Sequence, residues 1–275
     1  GLAIARLLSE KKIKAEIFII RYSKKCSEDF LINEKRLKKI KSVRIFNITS
    51  AAELEKICSC STFNSQSYII DAIFGSGLNK PVEGLVADVI DYINNSLCPI
   101  ISIDIPSGLF AENNSENKKG KIVRATYTLT LQNTKLSFMF PENENYVGDF
   151  FVLDIGLDKS FIELLPSKNY FVTDEIAKSI FCGRKKFSHK GTFGHALIVA
   201  GSLGKMGACV LASKACLRTG AGLVTAHIPK CGYAILQTSL PEAMAEIDSS
   251  DNFISDNFIS DKYNAIGVGP GIGIE

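Results

Sequence analysis

Asp71, Asp104 and Ser107 carry the side chains of this 275-residue chain whose types and spacing could do chemistry, together with the glycine loop Gly75-Ser76-Gly77-Leu78-Asn79-Lys80-Pro81. Glycines let backbone N–H groups approach an anion closely. A carboxylate and a hydroxyl supply the oxygen ligands that hard cations take. A positioned carboxylate can also carry a proton to and from a reacting atom. Tight turns and a helix cap would account for any one of these features alone. Two acid-bearing loops in one unit weigh toward a site.

The surrounding pattern says how these residues meet. An apolar run, Tyr68 to Ile73, holds Asp71. Val82, Leu85, Val86, Val89, Ile90 and Ile93 then fall three or four residues apart, which predicts a helix burying one face. A second apolar run, Pro99 to Ile103, ends at Asp104, and Asp104-Ile105-Pro106-Ser107-Gly108 follows. Strand, loop, helix, strand, loop predicts a βαβ unit with a parallel pair. Both loops then leave the carboxyl ends of adjacent strands, where open α/β sheets bind ligands.

The stretches DAIFGSGLNKPVEG and ISIDIPSGL resemble the epimerase domain of the NAD(P)H-hydrate repair enzymes. The resemblance implies interconversion of the two epimers of hydrated NADH or NADPH. It implies a potassium ion held by Asp71 and Ser107. It implies substrate contacts from Gly75, Ser76, Gly77, Leu78, Asn79, Lys80, Pro81 and Asp104. Asp104 is the residue expected to shuttle the proton, and so to be catalytic. Lys135 and Tyr146-Val147-Gly148-Asp149 also match positions late in that domain, without an assigned role. An Asn- and Gly-rich loop precedes the first helix of such domains. Gly1 stands where its last glycine would be, so the chain reads as cut at its start.

Composition narrows the classes. The chain is 46% hydrophobic, enough for one large or two modest cores. A net charge of +3 is too mild to imply nucleic acid. The base-rich stretch Lys24 to Lys41 reads as a solvated helix face. No apolar run reaches membrane-spanning length and no secretory leader is visible, so neither a membrane nor export is expected. The eight cysteines are scattered, which suits reduced thiols in the cytoplasm. Cys58 and Cys60 are the one close pair, and they lack a second pair at metal-ligand spacing. Ser50 is the expected N-cap of a short helix, with Glu53 at the capping-box position. Ala111 to Lys121 is polar and without period, which predicts a surface loop.

The expected division is residues 1–160 and 168–275, because the stretch between Ile155 and Asn169 loses its period and holds Pro166. The second part again alternates strands and helices. HKGTFGH from His189, AGSLGKMGACVLASKACLRTGAGLVT from Ala200, PEAM from Pro241 and GPGIG from Gly269 resemble the ADP- or ATP-dependent NAD(P)H-hydrate dehydratases. That family has the ribokinase-like fold and uses ADP or ATP with Mg2+. The resemblance implies that Ala208 and Gly271 contact the hydrated nucleotide. His189 and Lys190 lie in its signature loop, and His227 reads as an ordinary strand side chain. The family's segment ending in a catalytic aspartate is not among these residues, so dehydration is not expected of this stretch alone.

The fold class expected is therefore α/β: a Rossmann-like three-layer parallel-sheet domain, then an incomplete ribokinase-like α/β domain. The expected function is repair of hydrated nicotinamide nucleotides. The competing readings are a nucleotide-binding module without turnover and a small-molecule kinase. A homo-oligomer is left open. Asp251-Asn252-Phe253-Ile254-Ser255 repeats at once as residues 256–260, which predicts a duplicated surface loop.

Overall fold

The structure, a computed structural model, describes residues 1–23, 25–60, 67–117, 120–181, 183–258 and 261–273. The chain divides into two compact units, Gly1–Val172 and Thr173–Glu275.

The first unit begins with α1 (Leu2–Glu10), β1 (Glu16–Ile20), α2 (Glu28–Leu37), β2 (Arg44–Ile48) and α3 (Ala51–Cys60). β1 and β2 pair in parallel. Ala5, Ile17, Ile19 and Leu37 bury the contact between the helices and this pair. α2 is entered through Ser27, whose hydroxyl accepts from Phe30 N, and its base-rich face is anchored at Glu34. Glu34 is 6% exposed and meets Arg21 at 2.6 Å and Lys38 at 2.8 Å, so this face does more than carry solvated charge. Lys24 lies outside the described residues.

A second parallel sheet follows, β3 (Ile69–Asp71), β4 (Ile100–Ile103), β5 (Tyr127–Leu131) and β6 (Asp149–Leu153), in that spatial order. The helix α4 (Leu85–Asn94) crosses from β3 to β4. Its Val86, Val89, Ile90 and Ile93 are buried, as the three-and-four spacing requires. They share one cluster with Ile48 and Leu54 from the β2–α3 region and Ile100 from β4. One core thus backs both sheets. Each fully buried aliphatic side chain there stabilises the unit by about 1.5–3 kcal/mol. The apolar run 68–73 is strand only to Asp71, because Ile73 N turns back to Asp71 Oδ1 at 3.3 Å and starts the glycine loop.

Three local expectations change. At α3 the Ser50 hydroxyl accepts from Glu53 N at 3.3 Å, as an N-cap should. The Glu53 carboxylate, however, reaches one residue past the cap and accepts from Thr49 N and Oγ1 at 2.8 and 2.7 Å. The polar stretch after Leu109 is not a plain surface loop. Asn117 is 5% exposed, and its amide donates to Gly108 O at 2.8 Å and Asn114 Oδ1 at 3.1 Å. Two short helices, α5 (Glu144–Val147) and α6 (Lys159–Leu164), interrupt regions without apolar period. α6 exists because Asp158 caps it, accepting from Phe161 N.

The second unit holds α7 (Asp174–Ile180), β7 (His195–Val199), α8 (Met206–Arg218), β8 (Leu223–Ile228), α9 (Tyr233–Ser239), β9 (Met244–Ile247) and β10 (Ala265–Val268). Its strands are all parallel in the order β10-β7-β8-β9. Met206, Cys209, Ala226, Ile228 and Leu236 fill the core under α8 and α9. Both units are therefore parallel-sheet α/β. Among the described residues no helix is long and apolar enough to cross a membrane.

Candidate functional site

Asp71 ends β3 and is 1% exposed. Its Oδ1 accepts from Ser107 Oγ at 2.6 Å, and its Oδ2 from Ser107 N and Ser102 Oγ, both at 2.8 Å. Ser107 Oγ in turn accepts from Phe74 N at 2.9 Å. The loop after β4 is thereby tied to the first turn of the glycine loop. Burial pushes the Asp71 carboxyl above its ordinary value, more than the hydrogen bonds from Ser107, Ser102 and Ile73 pull it down.

These residues fit a monovalent cation. The hydrogen-bond partners of Asp71 are hydroxyls and backbone N–H groups, all neutral, so no ammonium or guanidinium side chain is bonded to it. A buried anion in that state favours a cation beside it. The carboxylate and the Ser107 hydroxyl are the hard oxygen donors such an ion takes.

Asp104 follows β4 with φ +71, in the left-handed region that a non-glycine residue occupies at a cost. Its N–H donates to Leu129 O on β5 at 2.8 Å, which holds that conformation. Lys135 Nζ lies 2.9 Å from Oδ1, and both side chains are largely buried. Leu131 N also donates to Oδ1 at 3.4 Å, whereas Ser76 N of the glycine loop donates to Oδ2 at 3.2 Å. Burial pushes the Asp104 carboxyl up. The Lys135 ammonium and the two backbone N–H groups outweigh it and hold the carboxyl below its ordinary value.

The structure thus brings Asp71, Ser107, Asp104 and the start of the glycine loop to the carboxyl ends of β3 and β4. Gly75, Ser76, Gly77, Asn79, Lys80 and Pro81 are exposed, and Leu78 packs toward the core. A Cβ at Gly77 would meet nothing within 4 Å, so the outer side of the loop is open. Gly108 closes the second loop at φ +99. A Cβ there would lie 2.0 Å from Lys121 O, so only glycine fits.

The sequence assigns Lys135 no role, because a lone lysine carries no signal of which carboxylate it meets. Nothing in the sequence singles out Tyr22. Its ring lies 5.4 Å from that of Phe74, at the foot of the glycine loop.

In the second unit Ala208 and Gly271 come together. Gly271 has φ +72, and a Cβ there would lie 3.1 Å from Ala208 Cβ. Ser202 Oγ donates to Gly271 O at 2.7 Å, joining the loops after β7 and β10. His189 is the N-cap of the single turn Lys190–Phe193, a local structural task. His227 is 3% exposed and meets Asp248 Oδ2 through Nε2 at 3.1 Å. The side chains of Cys58 and Cys60, Cys182, and Ile259 and Ser260 of the duplicated loop lie outside the described residues.

Residues 1–137 match the family model described as YjeF-related protein N-terminus, and residues 196–275 the one described as NAD(P)H-hydrate dehydratase. A bifunctional NAD(P)H-hydrate repair enzyme of Dictyoglomus turgidum is 32% identical over 290 residues, covering 100% of this chain and 53% of the relative. One of Moorella thermoacetica is 28% identical over 99% of this chain and 52% of its own length. An NAD(P)H-hydrate epimerase of Oenococcus oeni is 31% identical over 57% of this chain and 68% of its own length. The chain spans about half the length of the bifunctional relatives it matches.

Proposed function

The chain belongs to the YjeF-related family that includes the NAD(P)H-hydrate epimerases, and from that premise we propose that its first unit interconverts the (R) and (S) epimers of hydrated NADH or NADPH. The observation that carries this is the Asp104 carboxylate. It is held charged at the end of β4, with one oxygen turned to the open glycine loop.

Epimerisation needs the hydroxyl-bearing ring carbon to lose and regain its oxygen. The ring nitrogen's electron pair forms a C=N bond as the C–O bond breaks, and the hydroxyl takes a proton from solvent and leaves as water. Water then adds to either face, the C=N pair returns to nitrogen, and the surplus proton passes to a base. Asp104 is that base, and the proton it takes passes on to solvent, which restores the carboxylate and closes the balance. Its negative charge also stabilises the cationic C=N intermediate. Gly75, Gly77, Asn79 and Lys80 offer backbone N–H groups to the nucleotide's phosphates, whereas Pro81 has none and can touch the nucleotide only through its ring. Potassium held by Asp71 and Ser107 would keep the two loops in register and offset phosphate charge.

The second unit is proposed as the first part of an ADP- or ATP-dependent dehydratase domain, with Ala208 and Gly271 against the hydrated nucleotide. The free thiols Cys26, Cys209, Cys216 and Cys231 agree with a cytoplasmic location.

The test is epimer exchange, followed by chromatography of (S)-hydrate incubated with the full chain. Asp104→Asn keeps the shape and removes the base, so the exchange rate should fall by about 10²–10⁴-fold. Full exchange by that variant refutes the role of Asp104. Tight binding of the hydrate by the parent chain without exchange would favour a binding module.

A further inference from the structure

The two oxygens of Asp104 are held from opposite sides. Oδ1 is gripped from the β5 side, by Lys135 Nζ at 2.9 Å and Leu131 N at 3.4 Å. Oδ2 faces the glycine loop, where Ser76 N donates at 3.2 Å and a Cβ at Gly75 would lie 3.5 Å away. Lys135 spends its three protons on Asp104 Oδ1, Leu131 O at 3.2 Å and Asn133 O at 3.1 Å. An ammonium bonded in this way has no proton to offer a substrate. Its task must be done through Asp104.

We propose that Lys135 is a positioning residue for Asp104, fixing Oδ1 and keeping the carboxylate charged so that Oδ2 is the oxygen presented to the reacting ring. This rests on the epimerase reading given above. The other charged groups near Asp104 do not do this work. The glycine loop carries Lys80, which is exposed. Asp71 on the neighbouring strand is itself an acid and is held by Ser102 and Ser107. The loop from Ile105 to Phe110 carries no charge. Without the Lys135 ammonium, only the Leu131 and Ser76 N–H groups would oppose burial, and the Asp104 carboxyl would move up toward its neutral form, which accepts no proton. The rotamer would also lose the contact that turns Oδ1 away from the glycine loop.

The experiment compares the parent chain with Lys135→Met and Lys135→Arg. Epimer exchange is measured against pH at saturating and limiting hydrate, and the Asp104 carboxyl carbon is titrated by 13C NMR in the same full chains. In Lys135→Met the acidic limb of the kcat profile and the Asp104 titration should both move to higher pH. kcat at neutral pH should fall by about 10–100-fold, with KM changed far less. Lys135→Arg keeps the charge, so it should restore the position of the limb and part of kcat. An unmoved acidic limb and an unmoved carbon titration in Lys135→Met overturn the proposal. Equal losses in both variants, with the limb unmoved, also overturn it and leave Lys135 a purely structural role. The NMR titration needs no turnover. A parent chain that lacks exchange therefore refutes the epimerase reading, while the titration still decides whether Lys135 sets the charge of Asp104.

Discussion

Replacing Asp71 by alanine tests the arrangement at the end of β3. The substitution removes the acceptor from Ser107 Oγ, Ser107 N and Ser102 Oγ, which now bond it at 2.6, 2.8 and 2.8 Å, and both serines are fully buried. A buried donor left without a partner costs about 1–3 kcal/mol. The Ser102 hydroxyl can rotate to another acceptor. The Ser107 amide cannot, and turning the Ser107 hydroxyl disturbs its bond from Phe74 N. The loss should therefore be about 2–6 kcal/mol where Asp71 carries its proton. Burial raises the folded carboxyl above its unfolded value, so the folded chain holds that proton more firmly. The stability this group contributes is full at acidic pH and declines as pH rises through its raised pKa. Alanine has no such dependence, so the measured loss must shrink as pH rises. A cation bound beside the ionised carboxylate opposes that decline. In potassium chloride the loss at neutral pH should exceed that in tetramethylammonium chloride of equal ionic strength. Urea unfolding followed by circular dichroism, from the ordinary carboxyl value of 3.8 upward through neutral pH in both salts, measures this. A loss below about 1 kcal/mol, or one that grows with pH in tetramethylammonium chloride, refutes the hydrogen-bond reasoning. Identical losses in the two salts refute potassium at Asp71.

Two further substitutions probe the supporting frame. Gly108→Ala puts a Cβ 2.0 Å from Lys121 O at φ +99. Strain of at least about 1–3 kcal/mol should lower the urea midpoint, and an unchanged midpoint contradicts it. Asp248 accepts from Ser255 Oγ and from Ser250, Ser255 and Asp256 N–H groups at 2.6–2.9 Å. Burial pushes its carboxyl up, but those bonds hold it well below the ordinary range, so its stabilisation is present at neutral pH and fades as pH falls. Asp248→Asn should flatten that acid-side slope and speed limited proteolysis within residues 249–258. Cleavage at the parent rate would show that Asp248 does not anchor this loop.

The elements legible in sequence were those whose apolar pattern reflects two-sided or one-sided burial. Ile100 to Ile103 and Ala196 to Val199 are continuous apolar runs or nearly so, because parallel strands are covered on both faces. β9 was not legible: Met244–Ile247 is a short edge strand with Glu246 inside it, half exposed along its length. The stretch after Leu109 misled for a different reason. Composition reports that Asn114 and Asn117 are polar, but not that Asn117 donates to Asn114 and to the Gly108 carbonyl while Asn114 donates to the Phe110 carbonyl.

The site shows the same boundary in its chemistry. Residue type and spacing leave two aspartates at the ends of neighbouring strands alike, chain direction places both at the crevice, and in sequence it is the family resemblance that separates their expected roles. Their environments divide them. Asp71 meets hydroxyls and amides in full burial and is pushed up, so its ionised form gains from a cation. Asp104 meets an ammonium contributed from beyond β5 and is held down, so it stays a carboxylate able to take a proton. Two like acids with opposite shifts cannot share one task at one pH. The difference lies in Ser102, which belongs to the strand beside Asp71, and in Lys135, which reaches Asp104 only once β5 has paired with β4. Tertiary pairing, rather than residue type, gives the two carboxylates opposite environments, and the proposed division into cation holding and proton transfer rests on that difference.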